Sequence, residues 1–342
     1  MLPEFFDPER VAEIFRVPYE ERAREAASWR ETQGVAPAAD DERRVGLLLI
    51  DVQNTFCLPD FELFVAGRSG SGALEDNVRL CRFIYENLGR ITRIHATLDT
   101  HTAMQVFHSV CLVDADGAHP APMTAISVED VESGRFRVNP RVTEALPGFD
   151  EAYLLHYCRS LSRDGKYSLM VWPYHAMLGG IGHALVSSVE EALFFHNIVR
   201  TSQTAFEIKG GNPLTENYSA LNPEVCTGPD GSSLAVRNEA LVDTLLDYEA
   251  LIIAGQAKSH CVQWTVSDLL AEIRSRDPAL AGKIFLLEDC SSPVVVPGVC
   301  DFTDQSDAAY REFEAAGMHR VRATEPLESW TGLAELLAKE GR

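Results

Sequence analysis

Four apolar runs, each followed by a turn and a polar or helical segment, constrain the fold of this chain more than any other feature. The runs occupy residues 45–50, 91–98, 251–254 and 283–287. Runs that are apolar on both faces are typical of parallel strands buried between helices. The pattern also predicts strands at 201–208 and 319–323, and helices at 75–90, 261–270, 306–317 and 329–339. This alternation predicts an α/β fold, a three-layer α/β/α sandwich with a mainly parallel central sheet.

Two segments stand apart from this alternation. Residues 1–44 predict a helical N-terminal arm, because Asp7-Pro8-Glu9 suits a helix start and Pro18 separates two charged helices. We expect the arm to pack on the body, residues 45–342, or on a neighbouring subunit. Residues 109–168 are rich in polar turns and form a predicted insertion, with a helix near 140–146 and a strand near 152–157. This insertion is a candidate lid.

The charge of the chain limits its partners. There are 30 Lys and Arg residues against 51 Asp and Glu residues, and the net charge is -21. Nucleic acid and anionic membranes need clustered positive charge, so neither is expected as a partner. The N-terminus lacks the features of a signal peptide, and no apolar run approaches the ~18 residues of a membrane span. Eight cysteines without a CxxC pair indicate reduced thiols, and we expect a cytoplasmic protein.

Three reactive side chains follow predicted strands. Asp51 follows the first apolar run, Lys209 follows 201–208, and Cys261 follows 251–254 at the predicted start of a helix. Ligand sites of open parallel sheets lie beyond the carboxyl ends of the strands. A thiol at a helix start is expected to have a lowered pKa and backbone donors for an oxyanion. The alternatives are a turn residue for Asp51, a solvated charge for Lys209 and a small core residue for Cys261.

A second group of residues has the chemistry of metal ligands. Asp99 and His101 follow the second run, and His175 follows the rigid Trp172-Pro173 step. Imidazole with carboxylate suits Zn, Mn or Fe, although Asp99 could instead turn the chain and bond His101. His108 is a weaker candidate for a further ligand. The remaining histidines of interest are interpreted as packing or loop residues, namely His183, His196 and His260.

Six short motifs, in this order along residues 45–325, resemble those of the isochorismatase-like cysteine hydrolases, and among them the nicotinamidases. Asp51-Val-Gln-Asn-Thr-Phe56 is similar to the family's DVQNDF, with Thr55 in place of the second acid. The others are Asp99-Thr-His101, Trp172-Pro-Tyr-His175, Lys209-Gly210 with Asn217-Tyr-Ser-Ala220, Gly255-Gln-Ala-Lys-Ser-His-Cys261-Val262, and Asp289-Cys-Ser-Ser-Pro293. Lys258 and Ser259 depart from the Thr-Asp that is usual in the family.

The resemblance implies a mechanism and a set of roles. Asp51 would take the proton of Cys261, Lys209 would stabilise the ion pair, and the thiolate would attack a carboxamide to give a thioester that water hydrolyses. A cis peptide would precede Ala257, so that the N–H groups of Ala257 and Cys261 form the oxyanion hole.

The resemblance also implies ligands and partners. One divalent ion, zinc before iron or manganese, would be held by Asp99, His101 and His175, and the substrate ring would lie between Phe56 and Trp172. The expected partners are a small carboxamide, as in NAD salvage, and further copies of the chain. The metal ligands favour a metal-dependent amidase over an isochorismatase-type enzyme. Two alternatives stay open: an amide or carbamoyl hydrolase for a bulkier substrate, and a non-catalytic binding paralogue, against which the presence of all three reactive residues speaks.

Overall fold

The computed structural model describes residues 2–164 and 166–338. The strands, in chain order, are β1 Val45–Ile50, β2 Arg93–Asp99, β3 Leu112–Val113, β4 Ala125–Ile126, β5 Arg137–Val138, β6 Leu169–Met170, β7 Ala205–Lys209, β8 Ala250–Gly255, β9 Ile284–Leu287, β10 Val295–Val296, β11 Cys300–Asp301 and β12 His319–Val321. The α-helices are α1 Tyr19–Gln33, α2 Asn54–Cys57, α3 Gly72–Glu86, α4 Val128–Glu132, α5 Glu151–Asp164, α6 Ser187–Arg200, α7 Glu239–Leu246, α8 Gln263–Arg276, α9 Thr303–Ala315 and α10 Leu333–Ala338.

Six of these strands form the central sheet in the order β12-β9-β8-β1-β2-β7. Every neighbouring pair in this sheet is parallel. The strands therefore end at one edge, and the predicted α/β/α sandwich with a parallel sheet is confirmed.

Both faces of the sheet are covered by helices. Successive side chains of a strand point to opposite faces, so Leu47 and Leu49 of β1 join the cluster that contains α3 and α6 residues. Leu48 and Ile50 join a second cluster with α7, α8 and α9. This double burial explains why β1 is apolar at consecutive positions.

The N-terminal arm packs on the helical layer of its own chain. Arg22 of α1 donates from Nε to Oε1 of Glu191 in α6 at 2.7 Å, and both side chains are buried. The Phe5 ring packs against Tyr85 and Phe195, with centroid distances of 5.8 and 5.3 Å. Among the described residues, no helix is long and apolar enough to cross a bilayer.

The insertion differs from its predicted secondary structure. Residues 140–146 form turns rather than a helix, and the predicted strand at 152–157 lies inside α5. The strand prediction is wrong because its window was too short: the buried positions are Tyr153, Leu154, Tyr157, Cys158 and Leu161, which recur with the period of a helix. The last predicted helix, 329–339, is shorter, and its final residue lies outside the described residues.

Candidate active site

Asp51, Lys209 and Cys261 meet at the carboxyl edge of the sheet. The Lys209 Nζ atom lies 2.9 Å from Asp51 Oδ2 and 3.6 Å from Cys261 Sγ. All three residues are buried, and Lys209 and Cys261 line one cavity. An acid, an ammonium group and a thiol from three strand ends are therefore within direct contact.

The position of Asp51 is fixed by its backbone and by the neighbouring strand. Its φ of 49° is in the left-handed region, which turns the chain sharply after β1. Its N–H donates to Thr97 Oγ1 at 3.0 Å, and the Thr97 hydroxyl donates back to Asp51 Oδ1 at 2.5 Å. These two bonds leave Oδ2 facing Lys209.

The Cys261 loop is held against the end of β1. Gly255, at the end of β8, has a φ of 124°, and a Cβ there would lie 2.1 Å from the carbonyl oxygen of Ile50. The Gln256–Ala257 peptide is cis, and Cys261 lies in a π-helical turn, Lys258–Val262, before α8. Among the described residues, no acceptor takes the Ala257 N–H. That N–H is therefore available for the oxyanion role predicted for it.

Burial changes the protonation of the three residues. Burial raises the pKa of Cys261 well above its ordinary value, and Lys209 opposes this effect only in part. The prediction of a lowered thiol pKa is therefore wrong, because complete burial beside Asp51 and Asp99 outweighs the helix start and Lys209. Burial also raises the pKa of Asp51, although Lys209 lowers it. The resting sulfur is a thiol that needs a base, and a carboxylate of raised pKa is suited to that task.

Among the residues that the structure describes, Lys209 is the only cation in contact with Asp51 and Asp99. Burial disfavours its charge, but Asp51 and Asp99 raise the pKa of Lys209 well above its ordinary value. Its Nζ also donates to the Asn217 carbonyl at 2.7 Å and to Asp99 Oδ1 at 3.0 Å. Lys209 therefore joins the thiol site to a second cluster that begins at Asp99.

The second cluster consists of three buried histidines. One nitrogen from each of His101, His108 and His175 lies within 4.8 Å of those of the other two. Each Nδ1 lies beside a backbone carbonyl oxygen: that of His175 at 3.2 Å, Ala103 at 3.2 Å and Pro173 at 2.8 Å, respectively. Since Nδ1–H donates to each carbonyl, the three Nε2 lone pairs are free to bind a metal.

The Asp99 carboxylate lies beside two of these histidines. Its Oδ1 lies 3.2 Å from His101 Nε2 and its Oδ2 lies 3.5 Å from His175 Nε2. Burial lowers the pKa of His101, so its Nε2 is a lone pair facing a carboxylate. Such pairs of acceptors are unfavourable without a cation between them. The three imidazoles fit a divalent ion such as zinc, and His108 belongs to this group. The predicted ligand Asp99 contacts His101 and His175 but is not one of the three residues whose ligand atoms lie within 4.8 Å of one another.

The cavity beside these clusters has a volume of about 220 Å³. Phe56, Trp172, Ala257 and His175 line it, and their roles towards a substrate stay predictions. No site role was predicted for several further lining residues: Phe64, Met123, Glu216, Tyr218 and Val294. His260, interpreted from the sequence as a packing or loop residue, also lines the cavity. Tyr218 lies within a quoted motif, and its hydroxyl accepts from Trp172 Nε1 at 3.2 Å, so this motif offered a signal for at least one of them.

The insertion supplies one wall of the cavity. Of the described residues in 109–164 and 166–168, Met123 is the one that lines it. Buried apolar residues of the insertion form a hydrophobic cluster that includes Trp172 and Tyr218. The predicted lid segment thus supports two aromatic lining residues from behind.

The structure shows the contacts of three further residues that the sequence analysis discussed. His183 contacts Thr100, with Nε2 2.8 Å from the hydroxyl oxygen, and His196 is buried against the Ile91 carbonyl. Thr55, which replaces the family acid, donates to Glu62 at 3.0 Å.

The fold of this chain is similar to that of known proteins. No protein-family model and no curated protein sequence matches the chain. Solved nicotinamidases are similar: the yeast enzyme bound to nicotinaldehyde has 17% identity and a TM-score of 0.50, over 81% of this chain and 99% of that one. The Acinetobacter baumanii nicotinamidase and pyrazinamidase has 16% identity and a TM-score of 0.48, over 83% of this chain and 99% of that one. The likeness to the yeast enzyme, together with the parallel sheet between two helical layers, shows the isochorismatase-like fold, the α/β/α fold that nicotinamidases share.

Proposed function

We propose that this protein is a metal-dependent amidohydrolase of the nicotinamidase type, which cleaves a small carboxamide to a carboxylic acid and ammonia. The observation that carries this proposal is the contact of Asp51, Lys209 and Cys261 beside the three-histidine cluster. A nucleophile, a base and a fixed cation are the minimum for acyl transfer. A structural role would not require all three to be buried together, because burying charges is costly.

The first half of the reaction forms a thioester. Asp51 takes the proton of Cys261 as the sulfur attacks the carboxamide carbon, and Lys209 stabilises the resulting thiolate. The developing oxyanion accepts hydrogen bonds from the N–H groups of Ala257 and Cys261. Asp51 then gives its proton to the amide nitrogen, the C–N bond breaks, and ammonia leaves. The proton moves from sulfur to Asp51 to nitrogen, so the net charge of the site stays constant through the departure of neutral ammonia.

The second half hydrolyses the thioester. Asp51 takes a proton from water as the water oxygen attacks the acyl carbon, and the proton returns to sulfur when the C–S bond breaks. A divalent ion, which we propose to be zinc with iron or manganese as alternatives, would supply Lewis acidity towards water here. His101, His108 and His175 would hold it, with Asp99 beside His101 and His175. Glu216, whose Oε1 lies 4.0 Å from His101 Nε2, is a further buried acid beside this ion.

The size of the cavity favours a small substrate. Its volume of about 220 Å³ is below the ~300–1,000 Å³ of sites for drug-sized ligands. Aromatic and apolar side chains dominate its wall, which suits a single planar ring. The alternative is an amide or carbamoyl hydrolase for a bulkier substrate, which the insertion would contact through Met123 in the cavity wall.

The test is ammonia release from nicotinamide, pyrazinamide, benzamide and a set of larger amides, each with and without a chelator. We expect hydrolysis of a single-ring amide that chelation abolishes and added zinc restores. Cys261→Ala should be inactive, and Cys300→Ala, a cysteine outside the cavity, should match the wild type. Activity confined to larger amides would favour the alternative. Activity confined to substrates that are not amides would refute the proposal.

A further inference from the structure

His260, which precedes Cys261 in the chain, is held rigidly in the cavity wall. Its ring stacks on Tyr167 with a centroid distance of 4.7 Å and an interplanar angle of 23°. The Phe302 ring meets its edge at 4.9 Å, and Tyr218 lies at 5.7 Å. The ring therefore has one orientation beside the nucleophile. No step of the mechanism above uses it.

Ser259 determines which nitrogen of this ring carries the proton. Ser259 is fully buried, and its Oγ accepts the Val294 N–H at 3.0 Å. The same Oγ lies 2.9 Å from His260 Nδ1, and no other acceptor for its hydroxyl exists among the described residues. Because a buried hydroxyl is costly to leave without an acceptor, it donates to Nδ1. Burial lowers the pKa of His260 to about 3, so the ring is neutral and its proton lies on Nε2.

The Nε2–H group lacks an acceptor in the protein. Within residues 2–164 and 166–338, no hydrogen bond or ion pair satisfies it, although the ring lines the cavity. A donor without an acceptor in a largely apolar site carries a free-energy cost. A ligand that carries an acceptor would remove this cost, and the few polar groups of a pocket commonly set its specificity in this way.

The residue at position 259 determines whether His260 Nε2 is a hydrogen-bond donor or an acceptor. An ionised aspartate there, as is usual in the family that the sequence resembles, can only accept, so it would draw the ring proton to Nδ1. The Nε2 atom would then be an acceptor. Serine gives the opposite tautomer, so this departure from the family pattern turns His260 into a donor.

We propose that His260 is a specificity-determining residue whose Nε2–H donates to the substrate, so that the preferred carboxamides carry an acceptor, such as a ring nitrogen or a carbonyl oxygen, besides the amide itself. The substrate class rests on the proposed function. The tautomer of the ring does not, because it follows from the hydrogen bonds of Ser259 and the burial of the ring.

The first measurement is the tautomer, read from ¹⁵N-detected histidine NMR of the zinc-loaded protein, with His260→Phe to assign the signal. We expect the Nε2–H form in the wild type and the Nδ1–H form in Ser259→Asp. An Nδ1–H ring in the wild type would overturn the inference whether or not the protein is an amidase.

The second measurement is binding of benzamide, nicotinamide and pyrazinamide to the zinc-loaded Cys261→Ala variant by calorimetry. Adding His260→Phe should weaken binding of at least one of the two ring-nitrogen amides by about tenfold, with benzamide changed less than twofold. His260→Gln, which keeps an N–H near Nε2, should restore most of the loss. Equal losses for all three amides, or no loss, would refute the role. Failure of all three to bind the variant that retains His260 would instead refute the proposed function.

Discussion

Replacing Lys209 by methionine tests the electrostatics on which the proposed chemistry depends. The change keeps most of the side-chain volume and removes the charge that lies 2.9 Å from Asp51 and 3.0 Å from Asp99. At these distances each attraction is about 6 kcal/mol for an effective dielectric constant of about 20. Desolvation of the ammonium and repulsion between the carboxylates reduce the net effect, and breaking a buried pair costs about 3–5 kcal/mol.

We therefore expect Lys209→Met to lower the free energy of unfolding at pH 7 by about 3–5 kcal/mol and kcat/KM by about 10²–10⁴-fold. Lys209 lowers the pKa of Asp51, so its removal raises that pKa further. The acid limb of the kcat/KM profile should then move to higher pH. The stability loss should shrink as pH falls, because protonated carboxyls no longer need a counter-ion.

Urea unfolding of chelator-treated protein and initial rates of the zinc-loaded protein measure the two effects. Lys166→Met is the matched control, because Lys166 also bridges two acids, with Nζ 3.0 Å from Glu224 and 3.7 Å from Asp268, outside the nucleophile cluster. It should lose stability but keep most of its activity. Equal kcat/KM in the two variants would refute the role of Lys209.

Three further predictions follow from other contacts. His108→Ala should weaken zinc binding, measured by chelator competition, by more than the about 10–100-fold that loss of an outer partner costs; unchanged affinity would remove His108 from the ligand set. Burial raises the pKa of Asp76 to about 6, so the folded state binds this proton more tightly than the unfolded state does. The bound proton contributes about 3 kcal/mol to the free energy of unfolding below pH 3.8, and this contribution is lost as pH rises through 6. Asp76→Asn should flatten that part of the unfolding free energy, and an unchanged slope would contradict the assignment. Arg22→Met leaves Glu191 buried without its partner and should cost about 3–5 kcal/mol in urea unfolding; a loss below about 1 kcal/mol would mean that α1 is not held by this pair.

The part of the site that the sequence predicts is the part set by the sheet. Asp51, Lys209 and Cys261 follow strands, and a parallel sheet brings the carboxyl ends of its strands to one edge whatever the intervening segments do. Lys209 and Cys261 are 52 positions apart, and β1 and β2 lie between the strands that lead to them. The shared edge brings both residues to one end of the sheet, and the long Lys209 side chain spans the remaining distance to the sulfur.

The rest of the cavity depends on segments without a regular pattern. Met123, Tyr218 and Val294 come from loops, and the path of a loop depends on tertiary contacts that composition does not reveal. The error at α5 has a different origin, because a short window of apolar residues cannot separate a strand from a helix. The thiol pKa was predicted from the helix start alone, although burial is the larger effect at Cys261.

The most direct test of the central claim is the identity of the acylated residue. Zinc-loaded protein is mixed with an amide that it hydrolyses and is quenched in acid within the first turnover. The quenched protein should carry one acyl group, and peptide mass mapping should assign this group to Cys261. Cys261→Ala should show no adduct and no ammonia release, with unchanged unfolding cooperativity. An acyl group on another residue, or turnover by Cys261→Ala, would contradict the thioester mechanism.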